Sequence, residues 1–327
     1  MREIQFREAL REAMSEEMRR DDRVFLMGEE VAEYNGAYKV SEGMLAEFGP
    51  RRVIDTPISE LGFAGVGVGA SMTGTRPIIE FMTFNFAILA MDQVINSAAK
   101  MLSMSGGQFH CPIVFRGPNG SAGQLGQQHS QCFESWYATA PGIKVITVGN
   151  PADAKGLLKS AIRDDNPVVF FESEQMYNNK GPVPEGDEFL IPIGKADIKR
   201  PGADVTIVSF GKMMLVAHNA CDELAKQGIE AELIDLRTIR PLDYDTVIES
   251  VKKTNRLVVV EESWPLASIA SEIGFIVQKR AFDYLDAPVT RVTGRDALVT
   301  YAPTQIEAYL PSVHRIVEAV RTVLYRN

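Results

Sequence analysis

Apolar runs of four or five residues alternate with helix-periodic stretches along nearly the whole chain, and this alternation constrains the fold more than any other feature. Val24-Phe25-Leu26-Met27-Gly28 is too short for a helix and apolar throughout, as a strand covered on both faces of a sheet must be. Val53-Ile54-Asp55, Pro77 to Phe81, Pro112 to Phe115, Lys144 to Val148 and Val168 to Phe171 repeat the pattern. Between them, residues 6–20 place Phe6, Leu10, Ala13, Met14 and Met18 on one helical face, and 60–74, 86–104 and 151–163 are further helix candidates. Repeated strand–helix units of this kind predict an α/β fold with a mostly parallel sheet.

The pattern fails between Tyr177 and Gly194, where Asn178-Asn179-Lys180-Gly181-Pro182 and Pro184-Glu185-Gly186 are turn chemistry without apolar period. It then restarts with strands at Val205, Ala231, Leu257 and Val289 and helices over 213–227, 243–254, 267–282 and 311–325. A length of 327 residues exceeds one ordinary core. The expectation is two successive α/β domains, 1–180 and 194–327, joined by a linker at 181–193.

Charge narrows the partners. Lys and Arg number 34 against 43 Asp and Glu, a net −9, which disfavours nucleic acid and anionic membrane surfaces. The longest uncharged stretches, Leu61–Thr75 and Gly117–Phe133, are Gly-rich and shorter than the roughly 20 apolar residues that span a bilayer. Three cysteines, Cys111, Cys132 and Cys221, give no disulfide framework and fit a reducing compartment. The first residues carry neither an export signal nor an Arg/Ser-rich presequence. The expected location is the bacterial cytoplasm, or the mitochondrial matrix for a processed eukaryotic chain.

Two obvious motifs fail on context. Gly65-x-Gly67-x-x-Ala70 lacks both the preceding strand and the acid about 20 residues on that a dinucleotide site needs. Gly62, Gly65 and Gly69 are expected instead on one helix face, admitting a neighbouring backbone. His110-Cys111 and His129-x-x-Cys132 lack the paired ligand spacing of zinc sites, and no Asn or Asp is marked out to complete a Cys132–His129 nucleophile.

Three segments remain. In Asp55-Thr56-Pro57-Ile58-Ser59-Glu60 a strand ends in a turn and Glu60 opens an apolar helix. Such an acid is ordinarily a helix-dipole partner; the alternative, for one set among Ile58, Leu61 and Phe63, is a desolvated carboxyl fit to handle a proton. Phe81-Met82-Thr83-Phe84-Asn85-Phe86 follows a parallel strand's carboxyl end, where open α/β sheets bind ligands; its aromatics are either core or a stacking surface for a flat heterocycle. The stretch from Arg116 to Gln131 is a polar, Gly-punctuated loop ending near His129, more like an active-site loop than a connector.

Together these segments resemble the beta subunits of the heterotetrameric, thiamine-diphosphate-dependent 2-oxoacid dehydrogenases. The resemblance spans essentially the whole chain: Gly28-Glu29-Glu30-Val31, Gly36 to Val40, DTPISE, EFMTFNF, DQVINSAAK at 92–100, RGPNG, QHSQCF at 128–133, and Leu236 to Asp243. Met104 to Gly107 and the 118–131 stretch look like the pyruvate-using group. The resemblance implies a pyrimidine-type thiamine-diphosphate domain followed by a transketolase C-terminal-like domain. It implies oxidative decarboxylation of pyruvate and reductive acetylation of a lipoyl group, with branched-chain 2-oxoacids or acetoin as alternative substrates.

It further implies that Glu60 hydrogen-bonds the cofactor's pyrimidine nitrogen, that Phe86 lies against that ring, and that His129 meets the substrate or the lipoyl group. Glu29 and Ile58 join the cofactor-binding set, and Asp92 is another candidate acid. Leu89 departs from relatives that often place a polar residue there. Magnesium and diphosphate binding in this family uses a GDG motif with a later Asn, whereas the Gly-Asp here is Gly186-Asp187, followed by Glu188. The implied partners are therefore an alpha subunit that holds Mg2+, in an α₂β₂ heterotetramer, and a dihydrolipoyl acetyltransferase with its subunit-binding and lipoyl domains. A potassium ion is implied at Ile113, Ala161, Ile162, Asp164 and Asn166; a helix end with turn residues is the alternative. A noncatalytic docking scaffold is the competing function, and it would have no use for a desolvated Glu60.

Overall fold

The computed structural model describes residues 1–326, which form two compact units: 1–119 with 136–193, and 120–135 with 194–326. In the first unit six strands run parallel in the order Lys144–Thr147, Val168–Glu172, Val114–Pro118, Arg76–Glu80, Val24–Gly28, Val53–Asp55. Alternate side chains leave opposite faces. Leu26, Ile78, Val114 and Phe170 pack in one core with Phe6, Leu10 and Met14 of the helix Phe6–Arg20 and Leu157, Leu158 and Ala161 of the helix Pro151–Arg163. These helices are also joined by ion pairs: Lys155 with Glu16 at 2.6 Å and Arg163 with Glu17 at 2.7 Å. The opposite face carries the helix Glu60–Met72 and an aromatic layer of Phe63, Phe81, Phe84, Phe115 and Phe171.

Several expectations are corrected. Residues 86–104 are not one regular α-helix: Phe84–Ala87 is α, Ile88–Ala90 is 3₁₀, Gln93–Ala98 is π and Ala99–Met104 is α again. Val114–Pro118 runs further than expected, so Arg116 is a fully buried sheet residue and not part of a loop. Within the stretch lacking apolar period, Lys180–Val183 forms a strand antiparallel to Arg2–Gln5. Gly67, not the Gly62/Gly65/Gly69 face, meets the sheet closely: a Cβ there would lie 2.5 Å from Ile79 Cδ1. Gly65 faces the Gln93 side chain, and Gly69 faces open space.

A sheet of the second unit orders five strands as Thr290–Val292, Leu257–Val260, Val205–Ser209, Ala231–Asp235, Asp197–Arg200; only the last is antiparallel. Helices Met213–Ala225 and Val313–Val323 pack together on this sheet, and Tyr244–Thr254 packs against Ile269–Ala281. Among the described residues no helix is long and apolar enough to cross a membrane.

Candidate active site

The carboxyl edge of the first sheet collects buried acids. Gly28 ends its strand against the main chain of Glu80, so close that a Cβ would lie 3.2 Å from the Glu80 carbonyl carbon. The following backbone is fixed by Asp55, whose carboxylate accepts from the N–H groups of Ala32 (2.7 Å) and Glu33 (3.0 Å). Glu29 is thereby buried and faces Glu60. Burial first, then the Glu60 charge and their mutual hydrogen bond, push the Glu29 carboxyl up to about 7. Glu29 therefore keeps its proton up to near-neutral pH. Glu29 Oε1 has no hydrogen-bond partner among the described residues.

The source of Glu60's burial differs from expectation. Glu60 is 6% exposed and Phe63 is buried, but Ile58 is 81% exposed and Leu61 half exposed. Glu60 is buried at the start of its helix, facing Glu29, and Ile58 lies on the exposed turn before it.

A second buried row lies beside this pair. The Arg116 guanidinium grips Glu172 bidentately, with both contacts at 2.5 Å, and pairs with Glu80 on the neighbouring strand. Tyr177 donates to Glu172 at 2.8 Å. Burial raises the Glu80 carboxyl against the opposing pull of Arg116. Sequence reasoning missed this row, although its signal was present: each charged residue interrupts or ends an apolar strand, as Ile78-Ile79-Glu80, Val114-Phe115-Arg116 and Phe170-Phe171-Glu172.

The aromatic segment divides. Phe81 and Phe84 are core, with ring centroids of Phe84 and Phe171 at 4.5 Å. Thr83 caps the next turn, its hydroxyl accepting from Asn85 N at 3.3 Å. Phe86 is half-buried, and its helical segment packs on the helix that Glu60 opens. Leu89 is exposed, and Asp92 lies on the surface, accepting from Asn96 at 2.7 Å.

His129 belongs to the second unit, half-buried in the turn Gln127–His129. The neck of its loop is closed by Gly120 N–H donating to the Gln131 carbonyl at 2.9 Å. Cys132 is buried; burial, then Glu262 and Glu134, raise its thiol well above the ordinary value, so it stays protonated and is no nucleophile.

The proposed potassium positions surround the helix end. Arg76 Nη1 donates to the carbonyls of Ile162 (3.1 Å) and Asp164 (3.0 Å), so both oxygens converge on one positive group. The Asp164 carboxylate pairs with Lys144 and accepts from Asn166 N–H at 2.9 Å. The carbonyl of Ile113 accepts from Val168 (2.9 Å) and that of Ala161 from Asp164 (3.3 Å). Among the described residues no His/Cys/Asp/Glu cluster could hold a metal.

A parallel sheet with buried acids at its carboxyl edge, followed by a second parallel-sheet unit, has clear relatives. "Transketolase, pyrimidine binding domain" matches residues 2–180, and "Transketolase, C-terminal domain" matches 194–316. A solved structure titled "Split gene transketolase, inactive beta4 tetramer" shares the fold with TM-score 0.78 over 98% of both chains, at 21% identity. The "Pyruvate dehydrogenase E1 component subunit beta" of Rhizobium meliloti is 60% identical over 98% of this chain and 70% of its own length. That of Rickettsia felis is 56% identical over 99% of both, and the mitochondrial one of Dictyostelium discoideum 53% over 100% and 92%. This chain belongs to the family of pyruvate dehydrogenase E1 component beta subunits, built on transketolase-type domains.

Proposed function

We propose that this chain is the beta half of an α₂β₂ enzyme that oxidatively decarboxylates pyruvate and delivers the acetyl group to the lipoyl group of a dihydrolipoyl acetyltransferase. The observation that carries the reading is the buried Glu29, its carboxyl pushed up to about 7, facing the buried Glu60 at a sheet edge suited to ligands. Thiamine diphosphate, when bound, supplies the nucleophilic carbon and the electron sink. Glu60 would hold its pyrimidine nitrogen through a hydrogen bond. Glu29, with one oxygen unpartnered, would hold the proton exchanged with Glu60. Phe86 would face the ring and Ile58 would line its entrance. His129 would meet the substrate or lipoyl group.

The diphosphate and Mg2+ fall to the alpha subunit, because the chain has no GDG motif. With this reading we place the domain division at 181–193, although the compact units keep 181–193 with the first and give 120–135 to the second, and the location in the bacterial cytoplasm, since the bacterial relatives at 60% and 56% exceed the mitochondrial one at 53%. A potassium ion at Ile113, Ala161, Ile162, Asp164 and Asn166 is proposed as a structural ion. The support is the donor set, backbone carbonyls and one carboxylate, which suits a hard monovalent cation; Arg76, on the Ile162 and Asp164 carbonyls, and Lys144, on the Asp164 carboxylate, are the cations that compete with it. Replacing K+ by choline should lower the Tm by a few degrees; an unchanged Tm would leave the role to Arg76 and Lys144.

The chain should be purified alone and with an alpha subunit, and assayed with thiamine diphosphate, Mg2+ and either pyruvate or 3-methyl-2-oxobutanoate. Turnover is expected only from the pair and faster on pyruvate. Turnover by the chain alone contradicts the half-site, and preference for the branched substrate contradicts the pyruvate assignment.

A further inference from the structure

The second unit does more than complete the fold, because it holds the loop that carries His129. Glu262 follows the strand Leu257–Val260 and is buried. One of its carboxylate oxygens accepts from Ser121 N–H at 2.6 Å and from the Lys212 ammonium at 3.0 Å. Lys212 also donates to the Ser121 carbonyl at 3.0 Å, so the ion pair grips both main-chain polar groups of one loop residue. Gly120 lies flat on the same carboxylate: a Cβ there would stand 2.8 Å from Glu262 Oε2, and its φ of +82° already favours glycine. The grip falls at the neck that Gly120 and Gln131 close. Further along, Gly126 is pressed on the Tyr301 ring, where any side chain would overlap it. The neighbouring acid, Glu261, is spent differently, accepting from the N–H groups of Ala270 (2.8 Å) and Ile269 (3.2 Å) at a helix start.

We propose that Glu262, neutralised by Lys212, is a positioning residue that fixes the neck of the Ser121–Ser130 loop and so the place of His129. The proposal rests on the reading that His129 acts on the substrate or lipoyl group. A charged acceptor bound to a main-chain N–H is among the stronger hydrogen bonds, and its burial leaves no water to replace it. Removing it frees the neck while leaving His129 itself intact.

The test is a double-mutant cycle in the assembled enzyme with His129→Ala, Glu262→Ala and the pair, alongside Glu262→Gln, which keeps an acceptor oxygen. Glu262→Ala is expected to lower kcat about 10- to 100-fold, the loss that a displacement near 1 Å produces. In the His129→Ala background it should cost nothing further. Glu262→Gln should recover part of the rate. Amide hydrogen exchange should quicken across residues 121–130 in Glu262→Ala and stay unchanged in the strand Leu257–Val260. Multiplicative losses in the cycle, or unaltered exchange in the loop, would overturn the proposal. Full activity of His129→Ala would instead remove the role of His129, and loop exchange alone would then decide the clamp. If Glu262→Ala fails to fold, the cycle is read with Glu262→Gln, where full additivity overturns the proposal.

Discussion

At the carboxyl edge of the first sheet, Glu29 and Glu60 face each other with no base between them, and a single guanidinium, Arg116, serves Glu80 and Glu172. At the same edge of the second sheet every acid meets donors: Asp235 accepts from Arg237 N–H at 3.0 Å, Glu261 from a helix start, and Glu262 from Ser121 and Lys212. Glu29 and Glu261 are both pushed up to about 7, for different reasons. For Glu261 burial acts against hydrogen bonds that favour the charged form, whereas for Glu29 burial is reinforced by a second carboxyl. An acid satisfied by fixed donors is structural. One left facing another acid is strained toward holding a proton, and a fold keeps such a conflict where chemistry needs it.

The sharpest way to break this contrast is to remove its cations. Arg116→Met would leave Glu80 and Glu172 buried with no base, and should cost about 3–5 kcal/mol in urea unfolding of the full chain. A loss below about 1 kcal/mol would mean that the first row is as well satisfied as the second. Lys212→Met should cost less, about 1–3 kcal/mol, because Glu262 keeps the Ser121 N–H. An equal or larger loss would erase the difference between the two edges.

A smaller effect tests the Glu29 proton. The Glu29 carboxyl titrates near 7 in the fold against an ordinary 4.5, so the folded state binds more protons than the unfolded one between these values. Its contribution is fully present below about pH 4.5 and is lost as pH rises through about 7. Glu29→Gln cannot ionise, so its Tm relative to the parent chain should climb between pH 5 and 8 and then level off. A pH-independent difference would show that Glu29 is not held protonated.

Much of the scaffold was legible from local pattern. Val24–Gly28, Val53–Asp55, Leu257–Val260 and Pro151–Arg163 have the bounds that their apolar runs and turn residues predict. Arg2–Gln5, Lys180–Val183 and Asp197–Arg200 escaped because they are polar edge strands whose only signal is a distant partner. The irregular turns of 84–104 escaped because a π segment changes the helical period locally. Glu60 was visible through its segment and its resemblance, yet the acid that it faces, Glu29, comes from a different strand end. Arg116 with Glu172, and Lys212 with Glu262, are 56 and 50 residues apart, a separation at which sequence alone does not pair charges.

The central claim, that Glu60 manages a proton for the coenzyme, is tested most directly by deuterium exchange at the thiazolium carbon of thiamine diphosphate in the assembled enzyme. Glu60→Gln should slow that exchange about 10²–10⁴-fold while the complex with the alpha subunit still assembles. Exchange at the parent rate, with coenzyme bound, would contradict the account.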